Sequence, residues 1–360
     1  MIYLFTFALS LLAAFFAANS KSEIRYVWAL LAVLLPAILA GVRDESVGTD
    51  TSAYMGVIFE KAQEEGMAMQ RSSAFGVEWG FIFTALLIVN FFGDLHWYYF
   101  FTAFLTCGFA FAALFKERRR YPLCVCYAFY LLVFFPMAFS MIRQSLAMSI
   151  VFFASFYALD KKWKSFTALV LIAFFFHTSA IFALVIPFVS KFVKKAGLSR
   201  ILLFLAIAFI AILFAPKILP LLKGTIFNKY ANYVGRETNF SLFFLVPTFY
   251  FFLLFNFYAR IKKFFPISLI TACVGFSFIL NILGALVFDQ ASRLSLYFQM
   301  FMIHASAIFV LWSSKYRANN RLVASAFIIG FAVVHFLLSI VVMKHHYIYP
   351  YTSEILESIL

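Results

Sequence analysis

Between Arg120 and Asp160 the chain carries one charged side chain, Arg143, in a stretch that is otherwise apolar and aromatic. A bilayer-spanning helix needs about 20 apolar residues, or about 17 when short, so this stretch is too long to lie outside a membrane. A charge inside it needs a reason. An intramembrane Arg costs about 2.5 to 3.5 kcal/mol on insertion scales, and so faces a wet cavity, pairs with an anion and marks a functional site.

The rest of the chain has the same character. Of 360 residues, 65% are apolar, 21% aromatic and only 12% charged, with a mean hydropathy of +0.96, outside the range of soluble domains. The 53 Phe residues read as lipid-facing and interhelical bulk. The net charge of +14 does not point to nucleic acid, because the bases fall in short clusters between apolar runs: Lys116 to Arg120, Lys161 to Lys164, Lys191 to Arg200, Arg260 to Lys263 and Lys315 to Arg321. That is the positive-inside pattern, explained by cytoplasmic loops and anionic lipid headgroups. Cys107, Cys124, Cys126 and Cys273 all lie in apolar runs without metal-binding spacing and say little about redox compartment. The run 2 to 18 lacks a basic n-region and reads as a first helix rather than a cleaved signal.

Full-length candidate spans are 2 to 18, 26 to 42, 97 to 115, 121 to 137, 139 to 159, 200 to 219, 240 to 259, 264 to 287, 294 to 313 and 322 to 343. Shorter apolar runs occupy 79 to 92, 165 to 177 and 178 to 190. The expected fold is an all-α polytopic membrane protein, residues 1–360 forming one integral domain with about 10 to 13 transmembrane or re-entrant helices. Basic loops before 165 and after 190 both belong in the cytoplasm, so the chain between them goes in and comes back, with His177 and Thr178 at the turn. Either two half-helices form a re-entrant hairpin or two short spans reach the surface through snorkelling lysines. Counting outward puts Pro136 to Arg143, the loop 220 to 239, Asp289 to Arg293 and the tail after Lys344 on the extracytoplasmic side. The polar loop 43–78 holds seven of the fifteen acids against three bases, which suits the same side and makes 79 to 92 short or re-entrant. No fixed-period repeat is visible, and no pair of interrupted helices suggests an inverted-repeat transporter.

Four polar clusters carry chemistry. Gly41 to Tyr54 follows the second helix; Thr49 or Asp50 is expected to cap a helix through Tyr54 and Phe59, which leaves Arg43 and Asp44 unexplained. Phe139 to Ser145 opens a helix after Pro136, where Arg143 can hold a phosphate bidentately or form a salt bridge to a carboxylate on another helix. Gln144 can donate to sugar hydroxyls or satisfy a backbone carbonyl. Phe174 to Ala180 contains His177, a hydrogen-bonded core residue or a proton acceptor near neutrality. Asp289 to Phe298 contains Arg293, either paired with Asp289 along a helix or a second phosphate ligand. Tyr347 to Tyr351 is an interfacial belt or a sugar-stacking platform, and His345-His346 is a weak metal signal.

Gly48-Thr49-Asp50 with Tyr54, Glu78-Trp79-Gly80-Phe81, Ile142-Arg143-Gln144, Phe176-His177-Thr178-Ser179, Arg293 before Tyr297-Phe298, and Tyr349-Pro350-Tyr351 together resemble the EpsG family over nearly the whole chain. That family belongs with the Wzy-type polymerases of O-antigen and exopolysaccharide. The resemblance implies an inverting, GT-C-like glycosyltransferase of the bacterial inner (plasma) membrane, joining undecaprenyl-diphosphate-linked oligosaccharide units on the periplasmic or exterior face. A chain-length regulator is an expected partner beside membrane lipids. For that reaction Arg143 and Arg293, with Arg43, are expected to hold the diphosphate, with Gln144, Tyr54 and Tyr351 also contacting substrate. His177 is the first choice of base and Asp50 the second. No acid-rich cage is apparent, so no cofactor or metal is expected. An O-antigen ligase-type transferase, a lipid-linked glycan flippase or exporter, and a membrane acyltransferase using His177 are the alternatives.

Overall fold

The computed structural model describes residues 2–66, 77–193, 197–214, 217, 244–286 and 290–359, and at 52–54, 318 and 359 the backbone alone. Among these residues the secondary structure is helical, without strands. In chain order the helices are α1 (Ile2–Asn19), α2 (Ile24–Gly41), α3 (Val57–Glu65), α4 (Trp79–Phe91), α5 (Leu95–Lys116), α6 (Leu123–Phe129), α7 (Ile142–Leu159), α8 (Trp163–Phe176), α9 (Ile186–Val193), α10 (Leu198–Leu213), α11 (Leu245–Ile261), α12 (Ser268–Leu286), α13 (Gln290–Gln299), α14 (Phe301–Ser313), α15 (Ala318–Phe336) and α16 (Glu354–Ile359). Among the described residues seven helices have the length and apolarity to cross a membrane. Trp79–Phe91, Leu123–Phe139, Trp163–Phe176, Thr178–Val193, Leu198–Leu213 and Leu245–Ile261 are shorter apolar helices.

Three sequence expectations shift in detail. The run 121 to 137 is not one uniform helix: α6 passes into a π-turn at Tyr130–Phe134 and a 3-10 turn at Phe135–Phe139. Pro136 accounts for the change, since it has no N–H to continue the α-helical ladder. The run 200 to 219 is helical over α10, and much of its remainder lies outside the described residues. The loop 43–78 is partly helical, with a π-turn at Thr51–Gly56 running into α3.

The chain forms two compact units. The first comprises Met1–Phe156, Ser165–Ile181 and Arg321–Leu360. In it α1 packs on α2 and α6, and α2 on α5. Small residues let these backbones approach: Ala14, Ala17, Ala32, Ala37 and Ala40 have no exposed surface, as expected where lipid supplies no hydrophobic drive between helices. A polar node ties three of the helices, Ser10 Oγ donating to Ala32 O at 2.6 Å and Tyr127 Oη to the same oxygen at 2.7 Å. Phe5, Leu12 and Phe15 stay exposed, as side chains facing lipid would.

Contacts between helix ends fix the course of this unit. His96 Nδ1, at the start of α5, lies 2.9 Å from Gly41 O at the end of α2. Asp50 Oδ2 accepts from Ile142 N at 3.3 Å, which brings the start of α7 to the same end. Arg143 pairs with Glu78, which brings the start of α4 there too. Because Gly93-Asp94 leads straight from α4 into α5, both termini of α4 belong to this end of the unit; at about 20 Å the helix is shorter than a hydrocarbon core. His177, closing α8, also stands beside Glu78, so α8 returns the chain to the end where α7 began. The basic loop after α5 lies at the opposite end of that helix. A core of Met55, Ile58, Phe59, Phe81, Ile82, Tyr98, Tyr99 and Ile142 locks α3, α4, α5 and the start of α7 together.

The second unit comprises Tyr157–Lys164 and Phe182–Asn320. Here α12 packs against α10, α11 and α13. A Cβ on Gly284 would sit 2.6 Å from Ser292 N, so only glycine permits this approach of α12 to α13. Asn281 Nδ2 and Gln299 Nε2 both donate to Ser295 Oγ, at 2.6 and 2.9 Å, a buried polar tie of the kind that holds helices together in lipid.

Candidate active site

Glu78 is the one charged residue of the sequence Phe75 to Phe81, and the structure makes it the centre of the first unit's polar chemistry. Glu78 has an extended backbone (φ −71°, ψ 142°) immediately before α4, and its side chain makes no capping bond to α4. Oε1 accepts from Thr178 N at 3.1 Å and from Thr178 Oγ1 at 2.9 Å, and His177 Nδ1 lies 3.1 Å from it. Oε2 accepts from Arg143 Nη1 at 2.7 Å. Donors on both oxygens suit an ionised, acceptor-only carboxylate. The Glu78 side chain is 6% exposed, against 16% for Arg143 and 19% for His177. The carboxylate is therefore sealed behind the groups it orients, while the guanidinium and imidazole keep accessible edges.

Local sequence explains the convergence. Arg143 is the second residue of α7, His177 follows α8 with its N–H bonded to Ala173 O at 2.9 Å, and Thr178 begins the 3-10 turn Thr178–Val185. Glycine at position 80 lets α4 meet the end of α8, since a Cβ there would lie 2.9 Å from Phe175 O. Between α4 and α8 an apolar groove of about 410 Å³ is lined by Gly80, Phe83, Leu171, Ile172, Phe175 and Phe176.

A second group of residues braces the first. The loop after α2 is bonded to the turn before α7: Thr49 Oγ1 donates to Ser140 O at 3.3 Å, Thr51 Oγ1 lies 3.4 Å from Phe139 O, and Asp50 receives Ile142 N–H. Thr49 and Asp50, expected to cap their own helix, thus reach across to residues 140–142. Gly48 has φ +98°, and a Cβ there would fall 2.0 Å from Phe139 O. The C-terminal tail closes over the loop. Gly48 N donates to Tyr347 O at 2.9 Å and Asp44 N to Thr352 O at 3.2 Å; Glu354 N donates to Asp44 Oδ1 at 2.9 Å; His346 Nδ1 is hydrogen-bonded to Ser140 Oγ. Desolvation, with neighbouring His345 and His335, lowers the pKa of His346 to about 3, so it holds this bond as a neutral ring.

Of the residues singled out from sequence, Arg143, His177 and Asp50 come together at these helix ends. Arg43 and Tyr351 belong to the surrounding brace: Arg43 is 1% exposed, and Tyr351 Oη donates to Leu39 O at 2.7 Å. Gln144 is 4% exposed and packed within the protein. Tyr54 lies on the π-turn Thr51–Gly56, its side chain outside the described residues. Arg293 is exposed on α13 in the second unit; Asp289 and the loop 220 to 239 fall outside the described residues. Both sequence readings of Arg143 were open, and the ion pair to a carboxylate on another helix is present. Glu78 itself was not among the site residues chosen from sequence. The available signal was the need of a membrane-buried Arg for an anion, with Glu78 opening an apolar run. Among the described residues no group of three or more His, Cys, Asp or Glu gathers as a metal cage.

A chain of this kind is a multi-pass, all-helical membrane protein with this cluster at one end of its first unit's helices. It belongs to the EpsG family, whose model matches residues 26–353. That is a family of Wzy-like polymerases, so its general function is of the polysaccharide-polymerase type. No curated protein and no solved structure matches the chain.

Proposed function

We propose that the protein transfers a growing glycan from a lipid diphosphate, of the undecaprenyl type, to a hydroxyl of another lipid-linked repeat unit, with inversion, on the extracytoplasmic face of the plasma membrane. The observation that carries this reading is the joint hold of Glu78 on Arg143, at 2.7 Å, and His177, at 3.1 Å. In the reaction the acceptor oxygen forms a bond to the anomeric carbon, the bond from that carbon to the phosphate oxygen breaks, and the lipid diphosphate leaves with the electron pair. Glu78 facing Nδ1 favours the tautomer protonated there, which turns Nε2 into the acceptor for the hydroxyl proton. The same carboxylate stabilises the imidazolium that results. Arg143 supplies fixed positive charge where the diphosphate anion develops, the place where it lowers the barrier most. The positive-inside pattern of the basic loops supports that side.

His177→Ala tests the reading. In a host lacking its own copy, the variant should reach the membrane at normal abundance, accumulate unjoined lipid-linked units, and form polymer about 10²- to 10⁴-fold more slowly, the usual loss for a general base. Normal chain length from that variant would remove His177 from the reaction and leave Asp50 as the candidate base. New glycan on a foreign acceptor, rather than longer chains, would favour a ligase.

A further inference from the structure

Arg43 was expected among the phosphate ligands, but its surroundings have another character. Nη1 donates to Ala40 O at 2.8 Å and Nη2 to Thr51 Oγ1 at 3.5 Å. The guanidinium carbon lies 4.4 Å from the centroid of the Tyr99 ring and 4.9 Å from that of Phe139. With 1% of its surface exposed, the cation is shut between two aromatic faces and presents no edge to a ligand. It remains charged at neutral pH, because burial lowers its pKa only to about 10.

Two of its four contacts, Thr51 and Phe139, lead toward Arg143. Ala40 and Arg43 fix the exit of α2. Thr51 Oγ1 donates to Val47 O at 2.8 Å and approaches Phe139 O, and Phe139 is both a wall of the cation sandwich and the residue before Ser140. Ser140 O receives Thr49, and Ile142 N–H is held by Asp50. Arg143 comes next. A planar guanidinium serves here where an ammonium does not, since it stacks on two rings and donates in two directions at once.

We infer that Arg43 is a positioning residue: a buried cation clamp that sets the turn before α7, and with it the place of Arg143, without touching substrate. This rests on the proposed role of Arg143. It does not repeat it, because the clamp acts on loop order whatever reaction the helix ends perform.

The test uses the full-length protein with Arg43→Met and Arg43→Lys. Val47, 1% exposed in the loop, is replaced by Cys as a reporter, and its labelling by N-ethylmaleimide is followed on the purified protein by peptide mass spectrometry. Arg43→Met should raise the labelling rate severalfold and cut polymer per molecule by about 10²-fold, the scale of a displacement near 1 Å. Arg43→Lys should fall between Met and wild type in both. A second tether should then substitute for the clamp. Ser46 Oγ and Thr352 Oγ1 stand 3.2 Å apart, and in a chain with Val47 intact Ser46→Cys with Thr352→Cys, oxidised, should restore the slow backbone hydrogen exchange of residues 44–50 that Arg43→Met speeds, and at least half of the polymer, reversibly with reductant. Restored loop order without restored polymer overturns the inference and makes Arg43 a ligand or field-setting charge. Unchanged labelling in Arg43→Met overturns it too. If labelling responds as stated while Arg143→Ala polymerises normally, the clamp stands and the reading of the reaction fails.

Discussion

Glu78→Gln keeps the size of the side chain at the centre of the site and removes only its charge. The amide oxygen can still accept from Thr178 N and Oγ1, which now bond Oε1 at 3.1 and 2.9 Å. The other end fares worse, because an NH₂ group meets the Arg143 guanidinium where a carboxylate oxygen accepted at 2.7 Å. A hydrogen bond to a charged group contributes about 1.5 to 3 kcal/mol. Breaking a buried pair costs about 3 to 5 kcal/mol; with Arg143 16% exposed, water relieves part of that. We expect a loss of about 2 to 3 kcal/mol, a factor of about 30 to 150 in the folding equilibrium, read as a lower thermal midpoint in detergent. His177 loses the carboxylate that fixes its tautomer, so polymer per molecule should fall by about 10²- to 10⁴-fold. The assay is complementation of a host lacking its own copy, with polymer length on gels normalised to membrane abundance. A variant of ordinary stability that polymerises normally would refute the central role of Glu78. A variant that is unstable but normal per molecule would make it a structural counter-ion only.

Arg143→Lys keeps the charge but not the fork: one ammonium cannot hold Glu78 along one edge and an anion along another, so polymer should drop at least about tenfold at normal abundance, and wild-type output would return Arg143 to a purely structural pair. Gly48→Ala must place a Cβ 2.0 Å from Phe139 O at φ +98°; strained backbone costs about 1 to 3 kcal/mol before the clash is counted, so the loop should lose its bond to Tyr347 O and the protein most of its polymer, against which normal thermal stability and output would count decisively. His346 has a folded pKa near 3, below its unfolded value of about 6.5. Between those values the unfolded chain binds the extra proton, so stability rises with pH across the window and falls as pH drops below about 6.5. The thermal midpoint should decline from pH 7 to 5 in wild type and less steeply in His346→Gln; identical slopes would show that tail docking is not coupled to this ring.

Much of this protein is determined by sequence because lipid imposes simple rules on it. Apolar runs of spanning length, separated by basic clusters, dictate an all-helical polytopic fold whatever the packing. The lone Arg143 in its apolar stretch, and His177 between two lysine-flanked short runs, are visible for the same reason: a polar group in hydrocarbon must be accounted for. Which partner accounts for it is another matter. Glu78 lies 65 residues from Arg143 and sits at the start of a helix, where an acid is unremarkable; only the meeting of the starts of α4 and α7 with the end of α8 turns it into the carboxylate that holds both. Arg43 shows the reverse. Its charge at a helix exit invites a ligand role, but the two rings that enclose it come from α5 and from the turn before α7. Side-chain chemistry and helix length are local properties that one chain displays directly. Which polar groups share a site depends on how helix ends converge, and that is set by small-residue packing and loop bonds that only tertiary structure brings together.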